Sequence, residues 1–298
     1  MTDSTALRLV CSEIWGGNRP VHRPIELPGV RGVLYSRPCH GAKGGDVHYL
    51  SVCGSGLLSR MCIADVVGHG ETVAAVSGQI HGLVRKFMNQ PNQRRILTDL
   101  NLRLHEMGLG AMTTAAALSY YPPHRRLSFS YAGHPPAWFY SVAQGRWTRL
   151  DRLEEAPGNS RVADLPLAVD DRTVYSRGHA AVAPGDRLLV ITDGILEAPD
   201  PAGGLFGEQR LERLLADDRT ATCEQLSDRL LAALGAHCHC STLDHDDVTF
   251  VLVEFAGPRR GPAVWHALVN RVLRRRGNSA SAGDATPLGV CVARQDPP

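Results

Sequence analysis

Two pairs of amphipathic helical segments partition the strand-like runs of this chain, and that order restricts its fold more than any other feature. Across residues 71–88, Val73, Val76, Ile80, Leu83, Val84 and Phe87 recur at three- and four-residue steps and form one apolar stripe. Pro91 and Asn92 interrupt it, and Ile96, Leu97, Leu100, Leu104 and Met107 mark a second helix. Residues 208–216 and 222–234 read as another helical pair. Short apolar runs of strand type lie around them, at 32–36, 48–53, 57–64, 113–120, 126–132, 137–140, 187–192 and 248–255. Cys53-Gly54-Ser55-Gly56 supplies a hairpin turn between two of them. Strands, two helices, strands, two helices and a closing strand predict an α+β fold. Its expected form is a four-layer α/β/β/α sandwich, two antiparallel sheets with helix pairs outside.

The flanks read differently. Residues 1–30 carry Gly16, Gly17, Pro20, Pro24 and Pro28 with little periodicity, which predicts an extended N-terminal arm. Residues 141–180 are polar and give no clear element. After Gly257 the composition shifts: residues 262–276 fit a basic amphipathic helix with Val264, Leu268, Val269, Val272 and Leu273 on its apolar face. The remainder, rich in Gly, Ala, Ser and Pro, reads as a disordered tail to residue 298. The folded domain is therefore expected over residues 31–256.

A net charge of +2 gives no reason to expect a nucleic-acid partner. The eight cysteines are scattered, and Cys53 and Cys62 lie in apolar runs where a thiol behaves as a small hydrophobe. The first ten residues lack a basic start followed by an apolar core, and no apolar run approaches the roughly 18 residues of a membrane span. These features fit a reduced, cytoplasmic protein.

The chemistry resides in four aspartates at expected strand ends: Asp46 after Gly44-Gly45, Asp65 before Val66-Val67-Gly68-His69-Gly70, Asp193 between Thr192 and Gly194, and Asp246 before Asp247-Val248-Thr249. Carboxylates converging on one spot repel unless a cation lies between them. Hard divalent ions such as Mg²⁺ or Mn²⁺ take oxygen ligands, and a pair of them can polarise a phosphoryl group. Each Asp-Gly pair alone is an ordinary turn signal; the combination is what points to metal.

That combination resembles the metal-dependent, type 2C-like (PPM) phosphatases, specifically the bacterial SpoIIE/RsbU branch. The resemblance spans roughly residues 33–255. It is carried by Gly44-Gly45-Asp46, by Asp65-Val66-Val67-Gly68-His69-Gly70 with Ala74-Ala75, by Ala132-Gly133-His134-Pro135-Pro136 and by Leu165-Pro166-Leu167-Ala168-Val169. Pro184-Gly185-Asp186, Thr192 to Ala198, Phe206-Gly207 and Asp246-Asp247-Val248-Thr249 follow in the same order. It implies two divalent ions, Mn²⁺ or Mg²⁺. One would be held by Asp65, Asp193 and Asp246; the other would share Asp65 and add Asp46 and the Val66 carbonyl. The implied reaction is hydrolysis of phosphoserine or phosphothreonine by a hydroxide bridging the metals, without a phosphoenzyme. The implied substrate is a phosphorylated protein such as an anti-sigma-factor antagonist, with regulatory input through helices 71–107 or the C-terminal tail.

Other residues are assigned more modest roles. His69 fits the turn into the first helix better than a general acid. Arg37, His40 and Lys43 precede Asp46 closely enough to meet a phosphate, though each suits a solvated loop. His134 reads as a structural turn, and Asp247 as a support for Asp246. His237-Cys238-His239-Cys240 reads as a polar loop, since no second pair of zinc ligands accompanies it. Two alternatives stay open: a catalytically silent partner-binding module of the same fold, which loss of a ligand aspartate would favour, and a two-metal hydrolase of a small phosphate ester.

Overall fold

In the computed structural model, the described residues are 6–9, 13–39, 42–53, 55–68, 71–88, 90, 92–108, 111–153, 162–217, 220–240 and 243–257. One sheet contains β1 (Leu7–Arg8), β3 (Val21–Leu27), β4 (Val30–Arg37), β9 (Trp138–Ser141), β10 (Arg146–Arg149), β12 (Arg187–Ile191) and β13 (Val248–Phe255), in the order β1-β3-β4-β13-β12-β9-β10. The other contains β2 (Ile14–Gly17), β5 (Val47–Val52), β6 (Ser59–Val66), β7 (Thr113–Tyr121), β8 (Arg126–Ala132) and β11 (Gly178–Ala181), ordered β11-β8-β7-β6-β5-β2. The β1–β3 pair is parallel and the other strand pairs are antiparallel.

Three apolar layers follow from strand parity. In β6, Met61 and Ile63 face the other sheet while Cys62, Ala64 and Val66 face α1 (Glu71–Phe87) and α2 (Gln93–His105). In β13, Val251, Val253 and Phe255 enter the space between the sheets. Phe250 and Leu252 instead pack towards α3 (Asp193–Leu196), α4 (Gly207–Asp217) and α5 (Cys223–Cys238). Both faces of the central strands are covered, so their sequences run continuously apolar instead of alternating. The expected four-layer α/β/β/α sandwich is the observed one. A one-residue slip in β6 or β13 would exchange the inter-sheet and helix-facing sets, which pins the register.

Helix α5 begins with a capping box: Thr222 Oγ1 accepts from Gln225 N at 3.2 Å, and Gln225 Oε1 accepts from Thr222 N at 3.0 Å. Thr222→Ala should lower stability by about 1 kcal/mol, read as a lower urea midpoint at unchanged slope.

The structure departs from the sequence reading in four places. Residues 7–8, 14–17 and 21–27 do not form a separate arm; they supply strands to both sheets. Ile14, Trp15, Ile25 and Leu27 are buried there, and the glycines and prolines between them masked the pattern. Pro24 is tolerated in β3 because the two-residue β1 pairs only with Ile25 and Glu26 and leaves Pro24 on an open edge. The polar stretch 141–180 contributes β10 and β11. His237 and Cys238 end α5, with His239 capping it in the left-handed conformation, so this tract is not simply a loop. Asp193 opens the short helix α3 instead of an isolated turn. The expected helix at 262–276 and the tail lie outside the described residues. Among the described residues no helix is long and apolar enough to cross a membrane.

Candidate metal centre

Antiparallel pairing gathers the four aspartates. Val47 pairs with Ala64, so Asp46 before β5 lies beside Asp65 near the end of β6. Ile191 pairs with Phe250, so Asp193 after β12 lies beside Asp246 before β13. The two pairs belong to different sheets and meet at one end of the sandwich. The Asp193 charge raises the proton affinity of Asp65 across the gap. Thr192 Oγ1 donates to Asp46 Oδ2 at 2.9 Å and links the two sheets.

Behind the carboxylates runs a buried line of hydroxyls. Thr249 Oγ1 donates to Ser36 Oγ at 2.8 Å, and Thr249 N donates to Thr192 Oγ1 at 3.0 Å. Ser36, Thr249 and Thr192 sit on or just past the adjacent strands β4, β13 and β12, and the last of them reaches Asp46. Asp46 is 2% exposed, and its Oδ1 has no hydrogen-bond partner.

Asp247, 6% exposed, fixes the loop that carries Asp46. Its Oδ1 accepts from Cys39 N at 2.7 Å; its Oδ2 accepts from Gly45 N and from Asp46 N at 3.2 Å. The Asp247 backbone N–H also donates to Asp246 Oδ1 at 2.7 Å, so Asp247 contacts Asp246, as read from sequence, and the Asp46 loop as well. The approach is so close that a Cβ on Gly44 would collide with the Asp247 carboxylate, and one on Gly194 with the Asp247 carbonyl. The Val66 carbonyl oxygen lies 3.1 Å from where a Gly45 Cβ would stand, which puts it against the same loop. His245 Nε2 donates to the Gly194 carbonyl at 2.7 Å and ties the Asp246 loop to α3.

Burial, with repulsion from neighbouring acidic groups, raises the proton affinity of all four carboxyls. Asp65 is pushed up to about 8 by burial, then by the charges of Asp193, Asp246 and Asp247. Asp46 is raised well above the usual carboxylate value by burial and by Asp65. Burial and Glu197 raise Asp193; burial, with Asp193 and Asp247, raises Asp246. A carboxyl whose folded value exceeds its unfolded value of about 4 gives stability that is fully present below that pH and lost as pH rises through the folded value. The metal-free protein should therefore melt at progressively lower temperature as pH climbs from about 4 towards about 8, and Mn²⁺ should offset the loss. A melting temperature that is flat across this range in EDTA would contradict the packing of the four groups.

A different grouping also arises here: Cys39 Sγ and carboxylate oxygens of Asp246 and Asp247 lie within 4.8 Å of one another. It suits a cation less well. Asp247 already accepts three backbone N–H groups, and burial followed by the Asp247 charge pushes the Cys39 thiol up to about 12, keeping it protonated.

The remaining sequence-predicted residues fall at the rim or deeper. Arg37 pairs with Asp244 at 3.6 Å, and Lys43 is exposed. His40 and His69 lie outside the described residues. Val67 is 50% exposed beside Val66. His134 is buried, its Nδ1 in contact with the Pro135 carbonyl at 2.9 Å, and burial lowers it to about 4. Sequence reasoning missed Asn18, Ser36 and Ser77 altogether; an Asn between Gly17 and Arg19-Pro20 carries only a turn signal.

A two-sheet sandwich with helices outside is the fold this chain shares with solved PP2C-type phosphatase domains. The RsbU and RsbW domains of Rv1364c from Mycobacterium tuberculosis share it at 21% identity and TM-score 0.63, over 87% of this chain and 72% of that one. RsbX in complex with magnesium shares it at 16% identity and TM-score 0.58, over 79% of this chain and all of that one. The chain belongs to the SpoIIE family: the model for stage II sporulation protein E matches residues 58–256. The phosphoserine phosphatase RsbP of Bacillus subtilis (strain 168) is 24% identical over 200 residues, 64% of this chain. The match takes in 44% of that relative's own length.

Proposed function

We propose that this chain is a divalent-metal-dependent protein serine/threonine phosphatase. The observation that carries the reading is the convergence of Asp46, Asp65, Asp193 and Asp246, with Asp46 Oδ1 buried and unpartnered. Four carboxyls at one end of the sandwich, each raised by burial and by neighbouring acidic charge, are a donor set suited to hard cations. Asp65, Asp193 and Asp246 would hold one ion. Asp65, Asp46 and the Val66 carbonyl would hold a second. Bound there, Mn²⁺ or Mg²⁺ would supply positive charge to phosphoryl oxygens and lower the pKa of water.

The chain's own residues set the geometry for that chemistry. Thr192 fixes one oxygen of Asp46, and the other is buried without a hydrogen-bond partner. Asp247 locks the preceding loop, and His245 holds the Asp246 loop to the start of α3. Cys39, whose Sγ lies within 4.8 Å of Asp246 and Asp247 carboxylate oxygens, is held protonated and does not serve as a nucleophile.

The substrate we assign is a phosphoserine or phosphothreonine on a regulatory protein, an anti-sigma-factor antagonist being the leading case. The name of RsbP, a phosphoserine phosphatase, and the joining of RsbU and RsbW domains in Rv1364c support this. Regulation through α1 and α2 fits their position, since α1 packs on β2, β5 and β6 next to the Asp46 and Asp65 termini.

Phosphate release from a phosphoserine peptide and from a phosphorylated antagonist protein, with Mn²⁺, with Mg²⁺ and with EDTA, tests the reading. Metal-dependent release that EDTA stops is the expected result. Bound Mn²⁺ without release from either substrate would favour a silent binding module, and release from small phosphate esters alone would favour the metabolite hydrolase.

A further inference from the structure

The turn between β2 and β3 lies outside residues 58–256, yet it reaches into the candidate metal centre. Asn18 is 8% exposed and Ser77, on α1, is fully buried. Between them they engage both backbone groups of Gly44, two residues before Asp46. Gly44 N donates to the Asn18 carbonyl at 2.9 Å. The Gly44 carbonyl accepts from Asn18 Nδ2 at 3.2 Å and from Ser77 Oγ at 2.7 Å. Asn18 Nδ2 also donates to Ser77 Oγ at 2.7 Å, closing a three-membered ring of hydrogen bonds.

Gly44 and Gly45 have no side chains to restrict their backbone, so the loop needs an external brace if Asp46 is to stand in one place. Asp247 braces the far end through Gly45 N and Asp46 N. Asn18 and Ser77 brace the near end, from another strand connection and another helix. An asparagine that only shaped its own turn would satisfy itself locally, whereas this one bonds across 26 and 59 positions of sequence.

We propose that Asn18 is a positioning residue for metal binding: clamped to Gly44 and Ser77, it holds the Asp46 loop at the spacing a second cation requires. The inference rests on the reading of Asp46 as a metal ligand.

Calorimetric titration of metal-stripped protein with Mn²⁺ tests it, comparing wild type, Asn18→Ala, Asn18→Asp, Ser77→Ala and Asp46→Asn. Asn18→Ala should weaken one Mn²⁺ site about tenfold, and Ser77→Ala about threefold, the scale of one or two net hydrogen bonds. Asn18→Asp, nearly isosteric but presenting an acceptor to the Gly44 carbonyl, should weaken it at least as much as alanine. In all three, raising Mn²⁺ should recover most of the lost turnover while KM for the phosphopeptide stays put, a split that general loosening of the fold would not give. Unchanged Mn²⁺ affinity in Asn18→Ala and Ser77→Ala, with an ion lost in Asp46→Asn, would overturn the positioning role alone. Full Mn²⁺ binding by Asp46→Asn would instead overturn the ligand reading beneath it. Should Asn18→Ala fail to fold, Ser77→Ala still decides the matter.

Discussion

Asp193→Asn should lower phosphate release by about three orders of magnitude or more while leaving the metal-free protein at least as stable as wild type. On the proposed reading of Asp193 as a metal ligand, its loss from a site that supplies several kcal/mol of charge stabilisation accounts for the rate, at about 1.4 kcal/mol per factor of ten. The stability side follows from electrostatics. After burial, the Asp193 charge adds to the repulsion that pushes Asp65 up to about 8, so a neutral amide relieves strain that exists only without metal. The measurement pairs kcat at saturating Mn²⁺ with thermal melts in EDTA at pH 8. A variant that melts well below wild type in EDTA would mean that Asp193 is chiefly a structural residue.

The second large effect is expected at Asp247. Its carboxylate accepts the N–H groups of Cys39, Gly45 and Asp46, all buried. Asp247→Ala leaves three donors without an acceptor, at about 1–3 kcal/mol for each that water cannot reach. We expect a loss of about 3–5 kcal/mol in urea unfolding, together with weaker Mn²⁺ binding because the Asp46 loop is freed. Asp247→Asn keeps one acceptor oxygen and should fall between alanine and wild type. A loss below about 1 kcal/mol for alanine would show that the loop finds its place by other contacts.

The sequence made the layers legible because α1, α2 and the strands β5, β6, β12 and β13 bury strongly apolar faces. The four aspartates were legible for a related reason: each abuts a strand whose end is set by its apolar run, so chain order alone placed them near turns. The contribution of residues 7–27 was not legible. Trp15, Ile25 and Leu27 are core residues, but Gly16, Gly17, Pro20 and Pro24 break the period that would announce them. The role of Asn18 was equally hidden, since it depends on bonds to positions far along the chain. Pairing of Asp65 with Asp193 needed the meeting of two sheets, which no local pattern records.

The most direct test is an anomalous-scattering map from crystals of the protein soaked in Mn²⁺. Two peaks are expected at the shared end of the sheets, one within reach of Asp65, Asp193 and Asp246 and the other within reach of Asp65, Asp46 and the Val66 carbonyl. A single peak held by Cys39, Asp246 and Asp247, or no peak among the four aspartates, would contradict the two-cation site and the phosphatase reading built on it.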